Sequence, residues 1–71
     1  MSASVVIVDD SLTVRMDLAE AFEHAGFRVF PCATAAEARA ALARETPSVV
    51  VLDVILPDAD GVDLLKEIRA S

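Results

Sequence analysis

The chain has 71 residues, 55% of them hydrophobic but only 4% aromatic, and a formal charge of −6 at pH 7. Such an acidic chain is a poor partner for nucleic-acid phosphates or an anionic membrane surface, both of which draw on clustered Lys and Arg. Its single cysteine, Cys32, excludes an intrachain disulfide and reads as a small apolar residue after a strand.

A chain this short buries a modest fraction of its surface and is marginal as a lone monomer, yet its apolar content is high. That combination argues for something further to pack against. No segment approaches the ~20 apolar residues of a membrane span. The amino terminus, Met1-Ser2-Ala3-Ser4, lacks the basic residues of a targeting segment. The lone cysteine fits a reducing compartment, so a cytoplasmic setting is expected.

In chain order, Val5-Val6-Ile7-Val8 is a continuous β-branched run ending in Asp9 and Asp10, the pattern of a strand buried on both faces. From Ser11 to Ala25 the period changes: Val14, Leu18, Ala21, Phe22 and Ala25 recur at three- and four-residue spacing, with charged residues on the other faces. This predicts an amphipathic helix that Gly26 ends in the left-handed conformation. Phe27 to Phe30 predicts a second strand, stopped by Pro31. Thr34 and Glu37 form a capping box for an alanine-rich helix running to about Arg44, broken by Glu45-Thr46-Pro47. Ser48 to Leu52 predicts a third strand, again apolar on both faces and again ending in an aspartate, Asp53. After a loop through Pro57, Asp60 or Gly61 opens a third helix with Val62, Leu65 and Ile68 on one side. Three strand–helix alternations with short connections imply right-handed crossovers and a parallel α/β sheet. There is no linker, so residues 1–71 form one domain.

Asp9, Asp10 and Asp53 each follow a predicted parallel strand, at the sheet edge where ligands of α/β proteins bind. If the first and third strands are neighbours, the three carboxylates converge, and their mutual repulsion calls for a cation. Hard oxygens with no nearby His or Cys favour Mg2+, which completes its shell with water and phosphate. The outline is that of a phosphoryl-transfer site. Two plainer readings stand beside it: Asp10 before Ser11 also suits a helix cap, and Asp9 a solvated strand end. Asp53 is harder to explain that way, because a carboxylate after four apolar β-formers needs a crevice, a cation or good hydrogen bonds.

Val5-Val6-Ile7-Val8-Asp9-Asp10-Ser11 resembles the first strand and acidic pair of bacterial response-regulator receiver domains. Val49-Val50-Val51-Leu52-Asp53 with Val54-Ile55-Leu56-Pro57-Asp58-Ala59-Asp60-Gly61 resembles their phosphoacceptor segment, including a proline four residues and a glycine eight residues after the aspartate. The resemblance implies a flavodoxin-like (βα) receiver fold with strand order 2-1-3, truncated after the third βα unit, so that residues 1–71 are a partial receiver domain. It implies that Asp53 accepts a phosphoryl group from a sensor histidine kinase or phosphotransfer protein. It further implies a Mg2+ site made by Asp9, Asp10, Asp53 and the backbone carbonyl of Ile55. Such a domain is no enzyme in the ordinary sense, since it promotes only its own phosphorylation. The switch Ser/Thr and the Lys that the family carries on its fourth and fifth strands have no match; Lys66, the one lysine, falls in the third helix.

In the implied order the third strand becomes an exposed edge, which predicts a homo-oligomer paired through Val49–Leu52. The alternative function is therefore an assembly module that keeps the fold without phosphotransfer. An aspartate-nucleophile phosphatase is a third possibility, disfavoured because Ile55 stands where a second acidic residue is usual.

Overall fold

The computed structural model describes residues 3–70. Six elements alternate along the chain: β1 (Ser4–Val8), α1 (Leu12–His24), β2 (Arg28–Cys32), α2 (Ala35–Arg44), β3 (Val49–Leu52) and α3 (Gly61–Ala70). The strands form one parallel sheet in the order β2-β1-β3, as expected. Val5 pairs with Val29 on one side and Val49 on the other, and Val8 with Cys32 and Leu52.

β1 is central, and all five of its residues are buried. Alternation along a strand sends Val6 and Val8 to one face and Val5 and Ile7 to the other. Val6 and Val8 join Cys32, Ala35, Ala38, Ala41, Leu56 and Leu64 in the main apolar cluster, so α2 and α3 cover that face. The chain steps one way from β1 to β2 and the other way from β2 to β3. Right-handed crossovers then place α1 on the opposite face from α2, where it meets β1 and β2.

The helix ends follow the sequence signals closely. Ser11 caps α1, its Oγ accepting from the Val14 N–H at 3.3 Å. Gly26 has φ of +90° after the C-cap, a conformation costly for any residue with a Cβ. Thr34 caps α2 through the Glu37 N–H at 3.1 Å, and Glu37 accepts in return from the Ala33 N–H at 3.4 Å.

Three expectations are corrected. Pro31 lies inside β2 instead of stopping it. β2 is an edge strand whose Arg28 N–H points to β1, donating to Ala3 O at 2.9 Å. By alternation the Pro31 nitrogen points outward, where no hydrogen is required. In α3 the inward face is Gly61, Leu64 and Ile68, while Val62 and Leu65 are exposed. Gly61 sets that rotation by packing directly on the backbone of Asp53 and Val54, which turns Leu64, three residues on, toward the core. The expected apolar face of α1 is only partly covered: Leu18 and Phe22 are half-buried, whereas Val14, Ala21 and Ala25 are exposed. Phe22 meets Phe27 edge-to-face at 5.2 Å.

Candidate functional site

The ladder continues one residue past the ends of the strands. The Asp9 N–H donates to Cys32 O at 3.0 Å, and the Asp53 N–H to Val8 O at 2.8 Å. The last ordered main-chain bonds of the sheet therefore fix the Cα positions of both aspartates at its carboxyl edge. With β1 and β3 adjacent, Asp9, Asp10 and Asp53 each offer a carboxylate oxygen lying within 4.8 Å of the others. Asp9 and Asp53 are half-buried and Asp10 is exposed.

Each carboxylate is oriented differently. Asp9 Oδ1 accepts from the Ser11 N–H at 2.8 Å, so Asp9 closes the β1–α1 turn and is more than a solvated strand end. Ser11 supplies the cap of α1, which leaves the Asp10 side chain outside the helix terminus. Asp53 Oδ1 accepts from the Ile55 N–H at 3.3 Å. Arg15, one turn into α1, donates from Nη1 to the Asp9 carbonyl at 2.8 Å and brings a guanidinium beside the acidic group.

The loop after Asp53 turns back on itself. Ile55 and Asp60 form an antiparallel bridge, the Gly61 N–H donates to Val54 O at 2.9 Å, and Asp60 Oδ1 caps α3 by accepting from the Val62 N–H at 2.8 Å. Gly61 is required by contact: a Cβ there would overlap the Asp53 carbonyl oxygen and come within 2.6 Å of Val54 Cα. Leu56 is buried, while the Ile55 side chain is exposed. Further along the loop, the Asp58 carboxylate accepts from the N–H groups of Ala35 at 2.8 Å and Ala36 at 3.0 Å, at the start of α2. Those two backbone donors, aided by Arg39, hold its pKa below the ordinary carboxylate value.

The donor set fits a hard divalent cation. All three side chains offer carboxylate oxygen, the cluster opens to solvent at Asp10, and Mg2+ favours one or two carboxylates with water and phosphate completing its shell. Nothing in it suits a soft metal: Cys32 is buried in the core, where burial and then Glu37 push its thiol pKa up. A concavity of about 380 Å³ beside Leu42, Pro47, Val50 and Ile68 borders the residues that lead into β3, at the end of the strand opposite Asp53. Lys66 is exposed on α3. No helix among the described residues is long and apolar enough to cross a membrane.

The structure brings together all three expected carboxylates, with Ile55 bonded to Asp53 through its N–H. Sequence reasoning missed Arg15 and Asp58. Arg15 carried a faint signal, four residues after the cap Ser11 and so on the same helix face. Asp58 carried none, because its partners lie 22 and 23 residues away.

Comparison with known proteins gives one answer. Residues 5–71 match the response regulator receiver domain family. Among curated relatives, sporulation initiation phosphotransferase F of Bacillus subtilis is 33% identical over 69 residues, covering 97% of this chain and 56% of that protein. The transcriptional regulatory protein GltR of Pseudomonas aeruginosa is 40% identical over 67 residues, 94% of this chain and 28% of that protein. Among solved structures, the chemotaxis response regulator CheY4 of Vibrio cholerae superposes with a TM-score of 0.91 at 30% identity, over 97% of this chain and 57% of that one. A CheY-like receiver domain from Methylobacillus flagellatus gives 0.91 at 27% identity, over 100% and 60%. The chain thus spans less than two thirds of the length of these relatives.

Proposed function

The chain belongs to the response regulator receiver domain family of two-component signalling, and on that premise we propose that Asp53 is its phosphoacceptor. The observation that carries the reading is the convergence of Asp9, Asp10 and Asp53 at the carboxyl edge of the sheet. A carboxylate oxygen of Asp53 attacks the phosphorus of a phosphohistidine on a sensor kinase or phosphotransfer protein. The P–N bond breaks, its electron pair leaves with the imidazole nitrogen, and the product is an acyl phosphate on Asp53.

Asp10, Asp53 and the Ile55 backbone carbonyl are the proposed direct Mg2+ ligands, with Asp9 acting through water. A bound Mg2+ would supply neutralisation of the charge on the transferring oxygens, the main requirement of such a reaction. The chain's own residues supply position. The strand-end main-chain bonds hold Asp9 and Asp53, the Ile55 N–H orients the Asp53 carboxylate, and the Ser11 N–H and Arg15 guanidinium hold the turn that carries Asp9 and Asp10. The chain acts on itself alone, in the cytoplasm. Residues 1–71 are one domain, the leading part of a receiver.

Intact mass after incubation with Mg2+ and acetyl phosphate tests this. One phosphoryl group is expected on the parent and none on Asp53→Ala; no gain on the parent would refute the reading for these 71 residues.

A second reading, an assembly module, is favoured by one observation: β3 is an edge of the sheet, with Val49 exposed and Val50, Val51 and Leu52 only half-buried. An open apolar edge recruits another strand. Sedimentation should show a concentration-dependent dimer that Val49→Lys weakens, and a monomer at every concentration would remove this reading.

A further inference from the structure

We propose that Asp58 is a positioning residue for the phosphoacceptor site: by bridging the β3–α3 loop to the first turn of α2, it holds the Ile55 segment against Asp53. The inference rests on the reading of Asp53 and its carboxylate partners as the Mg2+ and phosphoryl site.

The bonds that shape residues 53–60 are local. The Ile55 N–H to Asp53 contact is long, at 3.3 Å, and the Ile55–Asp60 bridge and the Gly61-to-Val54 bond fold the loop onto itself and onto α3. They do not fix it relative to the far side of the sheet. Two residues do. Leu56 is buried in the apolar cluster, an anchor without direction. Asp58, two positions later, adds direction by accepting from two adjacent amides on a different element.

That element is a firm support. α2 buries Ala35, Ala38 and Ala41 against the sheet. Its cap Thr34 serves the Glu37 amide, so the Ala35 and Ala36 N–H groups, orphans of the first helical turn, take their acceptor from Asp58. The arrangement is charge-assisted and two-pronged, which makes it directional as well as strong. Arg39, one turn on, adds positive charge near the same carboxylate. The strut thus runs from the central strand, through α2 and Asp58, to the loop whose third residue carries the proposed carbonyl ligand. A plain helix cap would leave the other end of the strut without consequence.

Amide exchange and Mg2+ titration followed by NMR on the full chain separate the two roles. Asp58→Ala is expected to speed exchange at Ala35 and Ala36 and also at Ile55. It should weaken Mg2+ binding about 10-fold, the usual cost of losing a group that orients a ligand. Asp58→Asn, which keeps one acceptor, should recover part of both. Glu67→Gln, which removes the Arg39–Glu67 pair at 3.0 Å joining α2 to α3, should leave Mg2+ binding unchanged and so controls for general loosening. If Asp58→Ala disturbs only Ala35 and Ala36 while Mg2+ affinity holds within a factor of two, the proposal is overturned. Should the Ala variant not fold, Asp58→Asn against Glu67→Gln gives the same decision. If the parent itself binds no Mg2+, the reading of the site fails, and Ile55 exchange decides the strut alone: faster in the variant supports it, unchanged rejects it.

Discussion

Helices α1 and α2 carry apolar residues at the same helical spacing, yet they end in different states. α2 buries three alanines, is capped by Thr34 and is tied to a loop by Asp58. α1, although longer, has no fully buried residue, and Leu12, Val14 and Met16 stay exposed. The difference lies in what each faces. α2 sits over Val6 and Val8 with Leu56 and Leu64 beside it, brought there by the β3–α3 unit. α1 has strands beneath it but contributes nothing to that cluster. Amphipathic spacing names the face a helix can bury; the burial itself requires neighbours on both sides.

The most severe way to break the α2 side is to displace the unit that completes it. Gly61→Ala forces a methyl group into the Asp53 carbonyl and the Val54 backbone, main-chain atoms that cannot yield as the end of a flexible side chain would. Either α3 shifts, taking Leu64 out of the core, or Asp53 moves. A loss of about 3 kcal/mol is expected from overpacking against backbone, read as a lower urea midpoint, together with loss of phosphoryl incorporation. A midpoint equal to the parent's would mean that α3 adjusts freely and that Gly61 does not set its rotation.

A smaller effect sharpens the contrast between the two helices directly. Ala38 in α2 is fully buried, and Ala21 in α1 is exposed. Ala38→Leu should destabilise by about 2 kcal/mol through overpacking, whereas Ala21→Leu should stay within about 0.5 kcal/mol. Equal effects in urea unfolding would show that α1 is as tightly packed as α2 and would dissolve the comparison.

These two helices also show what could be read in advance. Alternation, capping residues and Gly26 located every element to within a residue or two, because those signals act through bonds local to the chain. The carboxylate cluster was legible for a related reason: strand ends at Asp9 and Asp53 follow from the apolar runs before them, and parallel pairing brings them together. Pro31 misled because its effect depends on which side of β2 is open, a property of the sheet and not of the strand. Val62 and Leu65 misled because the rotation of α3 is set by Gly61 against a backbone eight residues earlier. Asp58 was silent because an aspartate in a loop looks alike whether it caps a distant helix or meets only water.

The smallest expected effect, and the one that isolates that silent residue, is the pH dependence of stability. Asp58 has a folded-state pKa below its unfolded value, owing first to the Ala35 and then to the Ala36 amide. Its ionised form therefore favours the folded chain. The contribution is fully present above the ordinary carboxylate pKa and disappears as pH falls through the lowered folded value, where both states bind the proton. Because the group is exposed, the effect is modest. The informative quantity is the gap in urea midpoint between the parent and Asp58→Asn, in which every contribution common to the two chains cancels. That gap should be closed in strong acid, open across the acidic carboxylate range, and hold constant toward neutrality. A gap that is the same at every pH would mean that the carboxylate's charge plays no part in holding α2, and that the bridge to the phosphoacceptor loop rests on Leu56 and shape alone.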